Sequence, residues 1–519
     1  MTGSNVIIIV TIAVYLIGMI VIGVVMSKRN KSSDDFYLGG RKLGPFVTAM
    51  SAEASDMSSY LLMGLPGLAL ACGLAEVSWT AIGLAIGTYL NWLVVAKRLR
   101  RYSAKIKAIT IPDFFSKRFG DNKNVLSLIA ALVIIIFFIP YTASGFSACG
   151  KLFNTLFGFD YVPAMIVSAI VIVLYTAMGG FLAASTTDLI QSIIMTVALV
   201  VVVVFGIKTA GGWDQVVANA QSIPGYLHFT STYNAVSNGE VPFGALSIAS
   251  TLAWGLGYFG MPHILLRFMA VKDPKKLKMS RRIASIWVVV AMAVAVVIGV
   301  VGSAMIANGS VVGLEDSERI IVAIAHLISQ HGALAAIIGG LILAGILAAT
   351  MSTADSQLLA AASSVSQNII QDFLKIKISA KAAMIAARIT VILIAVVAMF
   401  LSLNPDSSIF RVVSFAWAGF GAAFGPVVLF ALFWKRTNKW GALAGMVTGG
   451  AMVFIWKYIV AVKFADTILN IYELLPAFIC ASVMIVVVSL LTKAPEKDIV
   501  DTFESVKTMT DDDATAAEV

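Results

Sequence analysis

The chain carries little charge for its length. Only 13% of its 519 residues are Asp, Glu, Lys or Arg, whereas 59% are hydrophobic, and the mean hydropathy is +0.92. This composition excludes an ordinary soluble domain, and many apolar runs approach the roughly 20 residues that a membrane-spanning helix needs. The sequence therefore predicts a protein that lies in a lipid bilayer.

Cysteines and nucleotide motifs are also scarce. Cys72, Cys149 and Cys480 all lie in or beside apolar segments and offer neither a disulfide framework nor paired metal-ligand spacing. No G-x-x-x-x-G-K-[ST] phosphate loop occurs, so no nucleotide partner is expected. The net charge of +9 comes from Lys and Arg residues that cluster in short loops between the apolar segments. Such clusters set the orientation of a membrane protein, so they are not taken as a sign of nucleic-acid binding.

Apolar segments of spanning length recur along the whole chain. A window of about 19 residues predicts thirteen helices. Their limits are 5–27, 46–73, 76–97, 125–150, 161–179, 188–208, 244–269, 283–306, 333–370, 380–402, 409–434, 439–461 and 470–492. Basic residues cluster in odd-numbered loops, at 97–123, 272–282 and 435–439, which predicts an external N-terminus and a cytoplasmic C-terminus in the cell membrane.

An odd number of helices in each half predicts an inverted repeat. Helices 2 to 6 (44–210) and helices 7 to 11 (244–434) then have opposite orientations in the membrane. We expect an all-α membrane protein with a core of two inverted five-helix repeats. The remaining segments are helix 1 with its loop (1–43), an external loop (211–243), helices 12 and 13 (435–492) and a cytoplasmic tail (493–519) expected to be disordered.

Small residues interrupt the first predicted helix of each repeat, at 51–59 and 254–262. Paired interruptions are typical of substrate and ion sites at the membrane midplane of carriers, so the sequence favours a transporter over an enzyme. Backbone carbonyls freed at Ala54 and Met57 suit a hard cation such as sodium. Helix 9 adds Ala349, Ser352, Thr353 and Ser356 on one face, although such residues also occur where helices simply pack closely.

Two acidic residues lie in the first interruption. A charged side chain at the centre of a membrane helix costs about 2.5 to 3.5 kcal/mol, so Asp56 is predicted to support the cation electrostatically. Glu53 lies three residues earlier on the same face, and two adjacent carboxylates do not readily both ionise at low dielectric. We hypothesise that Glu53 is protonated, salt-bridged or bound to a second cation, and that it makes coupling partly proton-dependent.

The second interruption carries Trp254, Tyr258 and Pro262 at four-residue steps. They either wall a pocket for a small, partly apolar solute or make ordinary packing contacts, and the residues alone leave both interpretations open. Asp188 follows Ser-Thr-Thr at the expected start of helix 6. It is interpreted either as a helix N-cap or as part of the inward ion path.

Several separate motifs resemble the sodium:solute symporter family, over about residues 10 to 495. They include Tyr37-Leu-Gly-Gly-Arg41, Ala54-Ser-Asp-Met-Ser58, Trp254-Gly-Leu-Gly-Tyr-Phe-Gly260, Met351-Ser-Thr353 and Ala416-Trp-Ala-Gly-Phe-Gly-Ala-Ala-Phe-Gly-Pro426. Resemblance to the proline carriers of this family implies a LeuT-like fold and inward symport of sodium with L-proline. The sequence departs from the family pattern at Glu53, and at Ser59-Tyr60, where Gly-Trp is usual.

The resemblance also implies roles for individual residues. The sodium ligands would be Ala54, Met57, Ala349, Ser352 and Thr353, supported by Asp56. The solute contacts would be Trp254, Tyr258, Pro262, Ser58 and Tyr141. Asp188 would lie on the ion pathway, and Arg41 matches a position linked to sodium coupling.

Other functions are weighed against symport. A channel needs a continuous polar pore, and a transporter-like sensor normally carries a signalling domain; the sequence indicates neither. Among carriers, the alternative is sodium- or proton-coupled uptake of another small amino acid or osmolyte. The expected partners are a small solute and the lipid bilayer.

Overall fold

The computed structural model describes residues 3–27, 37–465 and 467–516. Most of the first predicted loop (28–36) and the last three residues of the tail therefore lie outside the described residues.

Helices make up nearly all of the regular structure. In chain order they are α1 (Gly3–Ser27), α2 (Pro45–Ser59), α3 (Leu65–Cys72), α4 (Leu74–Leu90), α5 (Ala96–Lys105), α6 (Ile111–Phe119), α7 (Val125–Phe157), α8 (Tyr161–Thr209), α9 (Trp213–Ser222), α10 (Ala245–Leu252), α11 (Pro262–Ala270), α12 (Leu277–Ala307), α13 (Ile320–Ser329), α14 (Ala333–Ser363), α15 (Ala380–Leu401), α16 (Ile409–Phe433), α17 (Lys439–Ile455), α18 (Ala461–Lys463), α19 (Leu474–Leu491), α20 (Lys497–Thr508) and α21 (Asp511–Ala516).

Shorter elements join these helices. Turns of 3₁₀-helix occur at Gly39–Arg41, Ala253–Gly260, Pro274–Lys276 and Ser317–Arg319, and π-helical turns at Tyr60–Gly64, Asn91–Val95, Ser364–Phe373 and Trp456–Val460. In the predicted external loop, β1 (Ser231–Asn234) pairs antiparallel with β2 (Gly239–Pro242), with Ser231 opposite Pro242.

Ten helices among the described residues are long and apolar enough to cross a membrane. This confirms an all-α membrane protein, whereas the count of thirteen spans stays a prediction. The predicted spans outside these ten, at 46–73, 161–179 and 244–269, are interrupted or short. The first breaks at Ser58, the second ends where Gly180 adopts φ 69°, and the third contains the 3₁₀ segment Ala253–Gly260.

The break in α2 is narrower than the sequence predicts. The helix continues through Met57, and only Ser58 leaves it, with φ 45° and ψ −169°. The Ser58 hydroxyl accepts a hydrogen bond from the backbone N–H of Tyr60 (3.1 Å), and a π-helical turn follows. Because the last four carbonyls of an α-helix lack a partner within the helix, a stop at this point frees the carbonyl of Ala54 without unwinding it. The Met57 carbonyl instead accepts a hydrogen bond from the backbone N–H of Tyr60.

The second break depends on close backbone approach. Residues 253–260 form a 3₁₀ segment, Met261 is extended, and Pro262 begins α11. A Cβ atom on Gly257 would overlap the indole nitrogen of Trp417, and one on Gly260 would overlap the carbonyl oxygen of Phe420. Glycine is therefore required here for the segment to pack against α16.

Two ends of the molecule differ in charge. The 31-residue helix α12 runs from the loop that carries Lys272 and Lys275 to the acidic stretch Glu315–Glu318, a length of about 46 Å. We call these the basic end and the acidic end. The C-terminal tail lies at the basic end, and the expectation that it is disordered is wrong for its described part, because α20 and α21 pack there with Phe503, Val506 and Ala514 buried.

Candidate ion and solute site

The last turn of α2 before its break contacts the middle of α14. The Ser352 hydroxyl lies 2.8 Å from the carbonyl oxygen of Ala54 and 3.1 Å from that of Ala349. The Thr353 hydroxyl donates to the same Ala349 carbonyl (3.2 Å). Carbonyl and hydroxyl oxygens from two helices thus lie within hydrogen-bond distance, fully shielded from solvent, and such a set fits a hard monovalent cation.

Asp56 is held beside this site by two tyrosines. The Tyr258 hydroxyl donates to Asp56 Oδ2 (2.6 Å), and the Tyr141 hydroxyl donates to the backbone carbonyl of Asp56 (3.0 Å). Among the described residues, Asp56 Oδ1 is buried and has no hydrogen-bond partner. A buried carboxylate oxygen without a partner is costly, so this atom is suited to a ligand or cation that balances its charge.

An aromatic group lies next to the second break. The Trp254 ring stacks on Tyr60 and Tyr472, at centroid distances of 5.5 and 5.2 Å, and packs against Phe410 at 5.4 Å. Its backbone carbonyl accepts a hydrogen bond from the Trp417 indole (2.7 Å). Three aromatic rings and a hydrogen bond from α16 therefore fix the position of Trp254.

Trp254, Phe410 and Tyr472 form part of the wall of a cavity of about 940 Å³ at the acidic end. Asp56 and Ser352 are not among the described residues of that wall. The charged residues of the wall are Glu76, Lys151, Asp316, Glu318, Asp406, Arg411, Lys457 and Glu473. The aromatic group therefore lies between a charged cavity and the oxygen-lined site.

Asp188 does not cap a helix, because α8 runs through it as continuous helix from Gly180. Its carboxylate is fully buried and forms an ion pair with Arg267 of α11, with Asp188 Oδ2 and Arg267 Nη2 2.9 Å apart. Ser51 and Ser55 of α2 donate to the same carboxylate oxygen, at 2.6 and 3.0 Å. The N-cap interpretation is therefore wrong, and Asp188 joins α8 to α2 and α11.

Arg267 is the centre of this network. Its guanidinium donates to the hydroxyls of Ser51, Ser55 and Ser356, at 2.8, 2.6 and 2.6 Å. The predicted hydroxyl-bearing stripe of α14 is thus divided between two uses: Ser352 and Thr353 lie at the oxygen site, whereas Ser356 binds Arg267.

The remaining predicted site residues have other contacts. Glu53 is buried, and its Oε1 accepts a hydrogen bond from the Trp92 indole (3.0 Å). Arg41 donates to the backbone carbonyls of Met269 and Ala108, both at 2.7 Å, and so ties the segment before α2 to the basic end. Pro262 is buried in the first turn of α11.

The comparisons with known proteins decide the family. A family model described as the sodium:solute symporter family matches residues 36–449. The chain belongs to this family. The family resemblance and the expectation of a transporter rather than an enzyme are thereby confirmed.

Two curated relatives extend the likeness over nearly the whole sodium:solute symporter chain. The osmoregulated proline transporter OpuE of Bacillus subtilis (strain 168) is 43% identical, over 94% of this chain and 96% of its own length. The sodium/proline symporter of Escherichia coli (strain K12) is 42% identical, over 94% of this chain and 93% of its own length.

A solved structure supports the fold. A Na⁺-coupled sialic acid symporter in a substrate-bound outward-open state aligns with a TM-score of 0.75 at 19% identity, over 95% of this chain and 99% of that one. At this identity the likeness shows the fold alone, and it confirms the LeuT-like class with inverted repeats.

Sequence reasoning missed part of the site of this sodium:solute symporter. Arg267 pairs with Asp188, and the buried Asp355 accepts a hydrogen bond from Ser356, which also binds Arg267. Tyr60, Phe410 and Tyr472 complete the aromatic group. Arg267 left a signal, because it is a charged residue inside the predicted span 244–269, and such residues mark functional sites by default. The aromatic residues left none, since aromatic side chains are common in membrane helices.

Proposed function

We propose that this member of the family is a secondary active transporter that carries L-proline into the cell with sodium by alternating access. The observation that carries the proposal is the 2.8 Å contact between the Ala54 carbonyl and the Ser352 hydroxyl beside the break at Ser58. This contact brings oxygen atoms from both repeats to one point. The names of the relatives, a proline transporter and a sodium/proline symporter, support the choice of ion and solute.

The proposed sodium site consists of Ala54, Met57, Ala349, Ser352 and Thr353. The carbonyl of Ala54 supplies one ligand and the two hydroxyls of α14 supply others, while Asp56 provides negative charge without leaving its tyrosine partners. One sodium ion that crosses about 100 mV gains roughly 2.3 kcal/mol, which supports on the order of fifty-fold accumulation of a solute. Nucleotide hydrolysis is not needed for this.

The proposed solute site consists of Trp254, Tyr258, Pro262, Ser58 and Tyr141. Tyr141 and Tyr258 both bind Asp56, so the solute residues and the ion residues share one hydrogen-bonded unit. Occupation of the ion site would therefore fix the tyrosines that contact the solute. This sharing is a physical basis for coupling the two ligands.

We place the acidic end outside and the basic end in the cytoplasm, with the N-terminus external and the C-terminus internal. The Lys and Arg clusters support this orientation. The charged cavity then faces outward, and the pair of Asp188 with Arg267 lies on the inward ion path. Arg41, at the basic end, would couple sodium release to the cytoplasmic closure, and the proton dependence ascribed to Glu53 stays a prediction.

Counterflow in proteoliposomes tests the proposal. Labelled L-proline should exchange only when sodium is present, and lithium, potassium or a pH gradient should not replace sodium fully. Unlabelled proline should compete, whereas other small amino acids and osmolytes should compete weakly. Exchange that is independent of sodium, or stronger competition by another solute, would favour the alternative carrier.

A further inference from the structure

The C-terminal helices α20 and α21 connect the two repeats at the basic end, and the transport mechanism gives them no role. Asp511 lies 2.9 Å from Lys97 Nζ and 2.8 Å from Arg101 Nη2, both at the end of the first repeat's α4–α5 span. Asp512 lies 2.6 Å from Lys275 Nζ, in the loop that follows α11 in the second repeat. Two successive carboxylates thus link the repeats.

Helix α20 is attached mainly through the buried side chains of Phe503 and Val506. The Phe503 ring is buried between the guanidinium groups of Arg98 and Arg118, each 5.0 Å from the ring centroid. Next to it, Glu504 pairs with Lys435 at 3.0 Å. This helix therefore contacts α5, α6 and the loop after α16.

Charge also contributes to this attachment. Residues 493–519 contain eight acidic and three basic residues, and they face a surface of Lys and Arg. Although partial burial alone would raise the pKa of Asp511, hydrogen bonds and charge from Lys97 and Arg101 leave that pKa below its usual value. The carboxylate therefore stays ionised throughout the physiological range.

The ion pairs of the tail are more accessible to salt than the pair inside the protein, although the Asp511 side chain itself is only 12% exposed. The side chains of Lys275 and Asp512 are 56% and 80% exposed, whereas those of Arg267 and Asp188 are 1% and 0% exposed. The Debye length falls from about 10 Å at 0.1 M to about 3 Å at 1 M, so salt weakens exposed pairs far more than buried ones. A rise in ionic strength at the basic end would loosen the tail first.

We propose that α20 and α21 form an electrostatic strap that holds the basic end closed and slows transport until the ionic strength on that side rises. The proposal rests on the proposed alternating access, in which one helix bundle rocks against the other around the central site. A link between α5 and the loop after α11 stabilises the arrangement in which the cavity lies at the acidic end. Release of the strap would lower the barrier to opening at the basic end.

Amide hydrogen exchange tests the strap without any transport assay. In lipid nanodiscs, the amides of residues 497–516 should be protected from exchange at about 0.1 M KCl. They should lose this protection at about 0.6 M KCl, because salt screens the attraction within their ion pairs. The double variant Asp511→Asn/Asp512→Asn should lack this protection already at low salt. The matched control Asp501→Asn changes an exposed acidic residue of the neighbouring helix α20 and should behave as the unmodified protein.

Sodium-driven proline uptake in proteoliposomes provides the second readout. Uptake by the unmodified protein should rise about threefold between low and high luminal KCl, the scale expected for a few exposed ion pairs. The double variant should be fast at both salt concentrations, and Lys275→Gln should shift uptake in the same direction.

Each outcome separates the strap from the proposed function. Salt-independent protection of residues 497–516, or a double variant whose uptake still rises with salt like the unmodified protein, would overturn the strap. Absence of proline uptake from every variant would contradict the proposed function, while hydrogen exchange would still decide whether the strap exists.

Discussion

The two broken helices of this transporter expose different chemistry. In α2 a single residue, Ser58, leaves the helix, and the turn before it directs the Ala54 carbonyl at Ser352. Between α10 and α11, eight residues form a 3₁₀ segment in which Gly257 and Gly260 lie directly against α16. The first break therefore supplies polar atoms, and the second supplies close approach and an aromatic wall.

One network joins the two breaks. Arg267 follows the second break on α11, and it binds Ser51 and Ser55, which precede the first break on α2, together with Asp188 of α8. The first helix of each inverted half is thus interrupted, but the residues that form the two interruptions differ. Differences between the breaks should appear as different defects when each is altered.

The largest effect is expected where the two breaks are joined. Arg267→Ala leaves Asp188 buried without its charged partner, which costs about 3 to 5 kcal/mol in comparable cases. We expect a large fall in thermal stability in detergent. The double variant Arg267→Met/Asp188→Asn should recover part of the loss, because it removes the unpaired charge; equal instability of both variants would contradict this pairing.

A smaller loss of stability is expected from a substitution in the second break alone. Gly257→Ala places a methyl group on the Trp417 indole, and overpacking of this kind costs about 1 to 3 kcal/mol. The thermal unfolding temperature should fall. Gly18→Ala is the matched control, since a Cβ there meets no atom within 4 Å, and it should leave the unfolding temperature unchanged.

Substitutions at the first break should change the sodium dependence of uptake rather than the stability of the protein. Asp56→Asn removes the negative charge beside the proposed ion site, and the sodium concentration for half-maximal uptake should rise about tenfold or more. Tyr258→Phe keeps the charge but loses the 2.6 Å hydrogen bond, so its effect should be smaller. An unaltered sodium dependence in Asp56→Asn would remove this residue from the site.

The smallest effect is expected at a single ligand. Ser352→Ala removes one hydroxyl, worth about 0.5 to 1.5 kcal/mol, and should raise the half-maximal sodium concentration by up to about tenfold. The control Ser363→Ala alters a hydroxyl that binds the Ala360 carbonyl of its own helix, away from the break. Similar sodium dependence in both variants would mean that Ser352 serves packing only.

Local sequence predicted the positions of the breaks but not their extent. Runs of small residues located both interruptions, because glycine, serine and alanine permit close approach and unusual backbone angles. The prediction of unwound backbone at Ala54 and Met57 was too broad, since helix persists to Met57 and a stop at Ser58 is enough to free the Ala54 carbonyl, while the Met57 carbonyl accepts a hydrogen bond from Tyr60. Composition likewise suggested disorder in the tail, where two helices instead form ion pairs with residues far away in the sequence.

Hydrophobicity and residue size in the sequence alone determined that this protein lies in a membrane, where its helices run and which two of them break. Whether a segment is long and apolar enough to cross a membrane, and whether its backbone can leave a helix, depends on residues that are adjacent in sequence. A window moved along the chain therefore detects both properties. Only the tertiary structure decided that Asp188 pairs with Arg267, that Asp56 is held by Tyr141 and Tyr258, and that the tail bridges the two repeats. These partners are 79 or more residues apart, and their attraction acts only after helix packing has brought them together.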